Sequence, residues 1–309
     1  MKKILMAVII ILIIAFSSCC FAADNNSVKS GILSYLGTTE SEFQIALDDL
    51  RKSVAPLIPT DDSHLEEWED YDMFEGFLSS LVKNRRIVKF YDSLLSMQMA
   101  LRARQLDEIV LPEAVVMYIV NNNPTQYEIL FSLSMMPSTI SFGFKKGNVE
   151  LQKEFNSAIS AMRKDGTLMS LEEKYINNLG ASEPQKAKFQ EFKGAKTIKV
   201  AVTGDLPPID FIAADGTPTG YNTAILSEIG KRIKKNIRLI SVESGGRSAA
   251  LASERVDVVF WYRNRDGLKV PKKLQDKNLK GAMKDAVEGV ILSEPYYTWD
   301  TDLVVGRAQ

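Results

Sequence analysis

The sequence predicts an α/β protein built from two blocks of alternating strands and helices. Three observations carry this. The chain has 309 residues, enough for two domains of ordinary size, each with its own core. Its hydrophobic share of 45% and charged share of 25% are those of a globular protein and exclude a disordered or fibrous chain. From Thr197 onward, β-branched runs alternate with amphipathic segments at helical spacing, the pattern of a parallel sheet covered by helices.

In that block, Thr197–Thr203 reads as a strand stopped by Gly204-Asp205 and Pro207-Pro208, and Asp215-Gly216 as a turn. Tyr221–Ile233 places Ala224, Ile225, Ile229 and Ile233 on one helical face, with Lys231, Arg232, Lys234 and Lys235 near its C-terminal end. Ile237–Val242 is a second strand, Arg247–Ser253 a short helix, and Val256–Trp261 a third, almost wholly apolar strand. In the N-terminal block, Ser41–Lys52 is a helix and the acidic stretch 61–72 an insertion. Arg86–Tyr91 is a strand, Leu94–Arg104 a helix, Glu108–Leu111 a strand and Glu113–Val120 a helix. Strands follow at Tyr127–Leu133 and Thr139–Phe144. Val149–Arg163 sets Leu151, Phe155, Ala158, Ile159 and Met162 on one face, and Leu171–Ile176 continues as helix. Gly180–Lys196 is polar and aperiodic, and reads as a linker.

The first 23 residues read as an export signal. Lys2 and Lys3 form a basic start, Ile4–Phe16 is continuously apolar, and Ala22 and Ala23 offer small residues for cleavage before Asp24. Phe16-Ser17-Ser18-Cys19 also resembles a bacterial lipobox, which makes Cys19 the lipidation candidate; an uncleaved anchor is the third possibility. Each places the rest of the chain outside the cytoplasm, in the periplasm or cell envelope, with membrane contact only through the signal or a lipid. Loss of Lys2 and Lys3 takes the formal charge from −1 to −3, so no basic excess exists to neutralise nucleic-acid phosphates. With Cys19 and Cys20 in the signal and His64 the single histidine, Cys/His zinc sites, Ser-His-Asp triads and a disulfide scaffold are excluded, and no cofactor or metal is expected.

Several segments then resemble one family. Val200–Pro208 with Asp215–Tyr221, Leu251–Asp257, and Ser293–Tyr297 followed by Leu303–Val305 are similar to the first-lobe motifs of family 3 bacterial extracellular solute-binding proteins, the amino-acid-binding components of ABC transporters. Gly37–Thr39, Tyr91–Asp107, and Lys146–Tyr175 resemble the second-lobe and closing-helix motifs of the same family. The resemblance covers nearly all of the chain after the signal. It implies a two-lobed periplasmic binding protein fold (type II), each lobe a sheet flanked by helices. The motif order is second lobe (24–118), closing strands and helices (119–179), linker (180–196), first lobe (197–309), which implies circular permutation with new termini at an inter-lobe crossing. Two partial domains completed by a second chain is the alternative.

The resemblance also implies a small ligand, an amino acid or related carboxylate, held in the inter-lobe cleft for an ABC permease or a sensor. Thr38 and Thr39, before a helix, suit the ligand carboxylate, or they are ordinary N-caps. The family's second-lobe Asp is replaced by Pro112, and Glu113 next to it is the candidate partner for the amino group. The first-lobe Thr-x-x-Arg is absent. Trp261 and Tyr262 stand at the end of a strand where they can stack on a ligand, and Arg247 after Gly245-Gly246 is the candidate carboxylate clamp. Asp205 and Asp210 flank Pro207-Pro208 at the same strand edge. No acid–base pair argues for catalysis, so a binding protein is expected rather than an enzyme. Two other readings stay open: a dehydratase-like enzyme on the same fold, and a degenerate binding domain serving protein interaction.

Overall fold

The computed structural model describes residues 27–36, 40–54, 85–262 and 289–308. One nine-stranded sheet runs through the molecule, and its two halves form the lobes of a mixed α/β fold. The first half contains β1 (Ser27–Leu33), β2 (Arg85–Tyr91) and β3 (Glu108–Pro112) with helices α1 (Glu40–Val54), α2 (Leu94–Arg102) and α3 (Glu113–Asn122). β4 (Tyr127–Lys145) crosses to the second half. There follow α4 (Val149–Lys164), α5 (Thr167–Glu172) with a π-turn over Glu173–Asn177, β5 (Thr197–Val202), and three very short strands β6 (Asp205–Leu206), β7 (Asp210–Ile212) and β8 (Pro218–Thr219). α6 (Tyr221–Ile233), β9 (Asn236–Ser241), α7 (Arg247–Ala252), β10 (Val258–Tyr262) and β11 (Val290–Leu292) complete that half, and β12 (Tyr297–Arg307) crosses back.

The strand order is β2-β1-β3-β12-β4-β10-β5-β9, with β11 also on β4; β6, β7 and β8 make a separate small sheet. β1 is parallel to β2 and β3, and β5 is parallel to β9 and β10, as the alternating strand–helix pattern requires. β12 and β4 are antiparallel to each other and bind the two parallel groups together. Along this seam the register breaks where Trp299 faces Ser138 but Thr301 faces Ser134, so Met135–Pro137 stands against Asp300 alone and β4 carries two surplus residues. The sequence reads 127–133 and 139–144 as two strands because Pro137 interrupts the ladder; the structure makes them one strand with a bulge.

Both faces of each half are covered. α2 to α6 share one continuous apolar core that passes from one lobe into the other. On the opposite face α1 packs on Ile32, Val110 and Phe131, and α7 packs on Ala201 and Val259. Gly31 lets α2 approach β1, since a Cβ there would stand 2.5 Å from Leu106 and 3.1 Å from Met97. At the opening of α6, Gly220 has φ +94, and the N–H groups of Tyr221 and Asn222 donate to the carbonyls of Pro208 (3.1 Å) and Ile209 (2.9 Å). The loop after β5 is thereby fixed to the start of the helix.

The linker expected at 180–196 contains no helix or strand, but it is strapped to the second lobe. Thr219 and Ser227 hydroxyls donate to the carbonyls of Gln185 (2.8 Å) and Lys188 (2.6 Å). Asn236 accepts from Phe192 N–H (2.8 Å), donates to its carbonyl (3.1 Å), and Lys186 pairs with Asp215. β12 completes its crossing, pairs with β3 through Val305, and Ala308 N–H reaches the carbonyl of Gln126 (3.0 Å). β4 and β12 both run between the two halves of the sheet. The segment 61–72 and residues 1–23, Cys19 included, lie outside the described residues. Among the described residues no helix is long and apolar enough to cross a membrane.

Candidate functional site

Two adjoining places bring chemistry-bearing side chains together. The first is at the C-terminal ends of β5, β9 and β10, where strand-to-helix loops collect in a parallel sheet. Asp210 is 1% exposed and accepts from Thr203 N–H (3.1 Å), Thr203 hydroxyl (2.7 Å) and Gly204 N–H (3.1 Å). Burial pushes its carboxyl up, against the pull of these hydrogen bonds and of Arg247. Its oxygens are engaged inside the loop, so it shapes the β5–β6 turn.

Asp205 is half-buried and accepts from the Ser244 hydroxyl. Burial raises its pKa, opposed by the Ser244 hydrogen bond; the Asp210 charge adds to the rise and the Arg247 charge opposes it. Arg247, 8% exposed, donates from Nε to the carbonyl of Ser244 (3.1 Å) and from Nη1 to that of Phe260 (3.2 Å). It ties the Ser244–Gly246 turn to the end of β10 and holds a positive charge beside two carboxylates. An acid, a hydroxyl and a guanidinium at one strand edge form a group complementary to a zwitterion.

The second place is a cavity of about 430 Å³ between α3, the end of α5, the β5–α6 loop and the seam strand β12. Glu113, Met117, Tyr118 and Asn121 come from α3; Glu172, Ile176 and Asn177 from α5 and the turn after it; Pro208 from the loop; and residues 297–301 from β12. The lobes touch here: Tyr118 meets Phe211 edge-on with ring centres 5.8 Å apart, and Tyr297 stacks on Trp299 at 6.2 Å. Burial raises the pKa of Glu172, and the neighbouring Glu173 adds to it. Burial, then the charges of Glu172 and Glu113, push the Tyr297 hydroxyl well up.

The predicted residues thus divide. Asp205, Asp210 and Arg247 are brought together, with Ser244 between them. Glu113 stands in the cavity wall, and Pro208, in the same loop as Asp205 and Asp210, links the two places. Trp261 and Tyr262 close β10 opposite Ser141 and Ile140, but their side chains lie outside the described residues, as do Thr38 and Thr39. Sequence reasoning missed Ser244, Glu172, Tyr118 and Trp299. Tyr297 falls in a segment quoted for its resemblance, yet it was not read as a wall residue. Among the described residues no group of three His, Cys, Asp or Glu side chains is placed to hold a metal ion.

Residues 198–262, which contain Asp205, Asp210, Ser244, Arg247 and β10, match the family described as bacterial extracellular solute-binding proteins, family 3. The likeness read from the first-lobe motifs holds over that segment. No curated protein sequence matches the chain. Among solved structures, it is similar to the ligand-binding component of an ABC-type import system from Staphylococcus aureus with zinc bound, at 9% identity and TM-score 0.40, over 92% of this chain and 67% of that one. It is also similar to the alkanesulfonate-binding protein SsuA of Xanthomonas axonopodis pv. citri bound to MOPS, at 7% identity and TM-score 0.37, over 92% of this chain and 66% of that one. A binding component of an ABC phosphonate transporter from Pseudomonas aeruginosa gives 10% identity and TM-score 0.38, over 92% and 69%.

Proposed function

We propose that this is an exported solute-binding protein that captures a small zwitterion or carboxylate between its lobes and presents it to an ABC permease or a sensor. The observation that carries the reading is the Asp205–Ser244–Arg247 group at the strand ends of one lobe, beside a seam of two antiparallel crossing strands. Arg247 meets the ligand carboxylate, Asp205 its amino group, and Trp261 and Tyr262 at the end of β10 supply stacking surface. Thr38 and Thr39 are assigned a share of the same carboxylate. Hinge closure about β4 and β12 buries the ligand.

The chain is read as circularly permuted, with residues 180–196 joining what are separate ends in the usual order. Two features support this. The linker is strapped to the lobe it enters, and β1 and the end of β12 flank the same strand, β3, although they lie at opposite ends of the sequence. Export through residues 1–23, with Cys19 as the lipid attachment point, would place the protein in the periplasm or on the envelope.

The test is a thermal-shift screen of the mature protein against amino acids and small carboxylates. A specific ligand raises the melting temperature by mass action, and Arg247→Ala should abolish that shift for a carboxylate ligand. A screen in which neither class stabilises the folded protein would turn the reading toward a protein-interaction module.

A further inference from the structure

The cavity beside the seam carries more negative charge than the zwitterion reading, which takes only Glu113 from it, can use. Its wall carries three carboxylates, Glu113, Glu172 and Asp300, and no lysine, arginine or histidine. Outside the cavity, on and beside α4 and α6, carboxylates are matched: Asp165 and Glu228 pair with Arg232, and Glu154 with Lys235. The side chains of Glu113 and Glu172 have no hydrogen bond or ion pair with any described residue. Glu172 is nevertheless half-buried, and a desolvated carboxylate with no countercharge is costly to fold around.

The rest of the wall suits a positive guest. Tyr118, Tyr297 and Trp299 bring three aromatic rings to the same space, and rings attract a cation over their faces. The cavity, about 430 Å³, is within the usual size range of small-molecule sites. An anion would meet the charges of Glu172 and Glu113, which add to burial in pushing the Tyr297 hydroxyl up. An occupant would touch helix α3, the end of α5, and β12 where its register with β4 breaks.

We propose that this seam-side cavity is a binding site for a small organic cation, an alkylammonium held by Glu113 and Glu172 and packed against Tyr297 and Trp299, separate from the Asp205–Ser244–Arg247 group. The inference does not depend on a zwitterion binding elsewhere, and each can fail alone.

The test uses three molecules of one length: 1,5-diaminopentane, 1,5-pentanediol and glutarate, each titrated calorimetrically into the mature protein. The diamine should bind and change tryptophan fluorescence, while the diol and the diacid should not bind. Glu172→Gln should weaken the diamine by about tenfold to a hundredfold, on the scale of hydrogen bonds to charged groups. Trp299→Phe should remove most of the fluorescence response while retaining binding. Because a half-buried residue is changed, each variant's urea midpoint is checked first, and the exposed Asp300→Asn serves if Glu172→Gln does not fold; it should also weaken the diamine. No binding of the diamine, equal binding of glutarate, or an affinity unchanged in folded Glu172→Gln would overturn the proposal.

Discussion

Replacing Glu108 by Gln should lower folding stability by about 3–5 kcal/mol, the cost of leaving a buried charge without its partner. Glu108 on β3 is 2% exposed and accepts from Arg86 Nε on β2 at 2.8 Å, from Arg86 Nη2 at 3.5 Å, and from the hydroxyl of Ser30 on β1 at 2.5 Å. The pair therefore reaches across the strand between its members and clamps the open ends of three strands. Arg86 Nη1 is already buried with no acceptor, and its guanidinium lies 5.5 Å from the Phe131 ring centre. Gln keeps the shape of Glu but turns one oxygen into a donor aimed at another donor, and removes the countercharge. Arg86→Met combined with Glu108→Leu removes both charges, leaving only the Ser30 hydroxyl without an acceptor, a loss of about 1–3 kcal/mol. Apolar replacement of a buried pair is often neutral or stabilising, so the double variant should lie within about 2 kcal/mol of the parent. Urea unfolding of the mature protein at constant m-value measures both. A single variant costing under about 1 kcal/mol, or a double variant no better than the single, would refute the reasoning.

Two further outcomes follow from the same contacts. Gly220→Ala should cost about 3 kcal/mol, because φ is +94 and a Cβ would stand 2.4 Å from the Pro208 carbonyl oxygen, whereas Gly216→Ala, with φ +80 and open space around it, should cost about 1 kcal/mol; urea midpoints separate the two. Asp165 is held at a pKa of about 2 against an ordinary 3.8, first by hydrogen bonds from Thr167 and then by Arg232. A depressed carboxyl contributes stability that is present above its unfolded value and lost as pH falls through its folded value. Parent and Asp165→Asn should therefore differ in urea midpoint above about pH 4 and converge near pH 2. A constant difference across that range would remove Asp165 as the cause.

Most elements were legible because each rests on a local signal. Tyr221–Ile233 shows its buried stripe in its own residues, and the structure places the helix over the same span. β4 was not legible as one strand, since Met135–Pro137 looks like an end until β12 is laid beside it. The strands β6, β7 and β8 are two or three residues long, too short for any period to register. The site divides in the same way. Asp205 and Arg247 could be placed from their position after predicted strands. The role of Asp210 could not, because it depends on the loop folding back so that Thr203 and Gly204 reach it. Glu172 and Trp299 read as ordinary helix and strand residues. They become a wall only when α3, α5 and β12, far apart in sequence, meet.

The proposed function requires one chain to build both lobes and close them over a solute. Small-angle scattering of the mature protein, alone and with the most stabilising solute from the thermal screen, tests it most directly. The expected result is the mass of one chain, a radius of gyration of about 19 Å for its length, and a further decrease when the solute is added. An obligate dimer, or a single chain whose dimensions do not change with a bound solute, would contradict it.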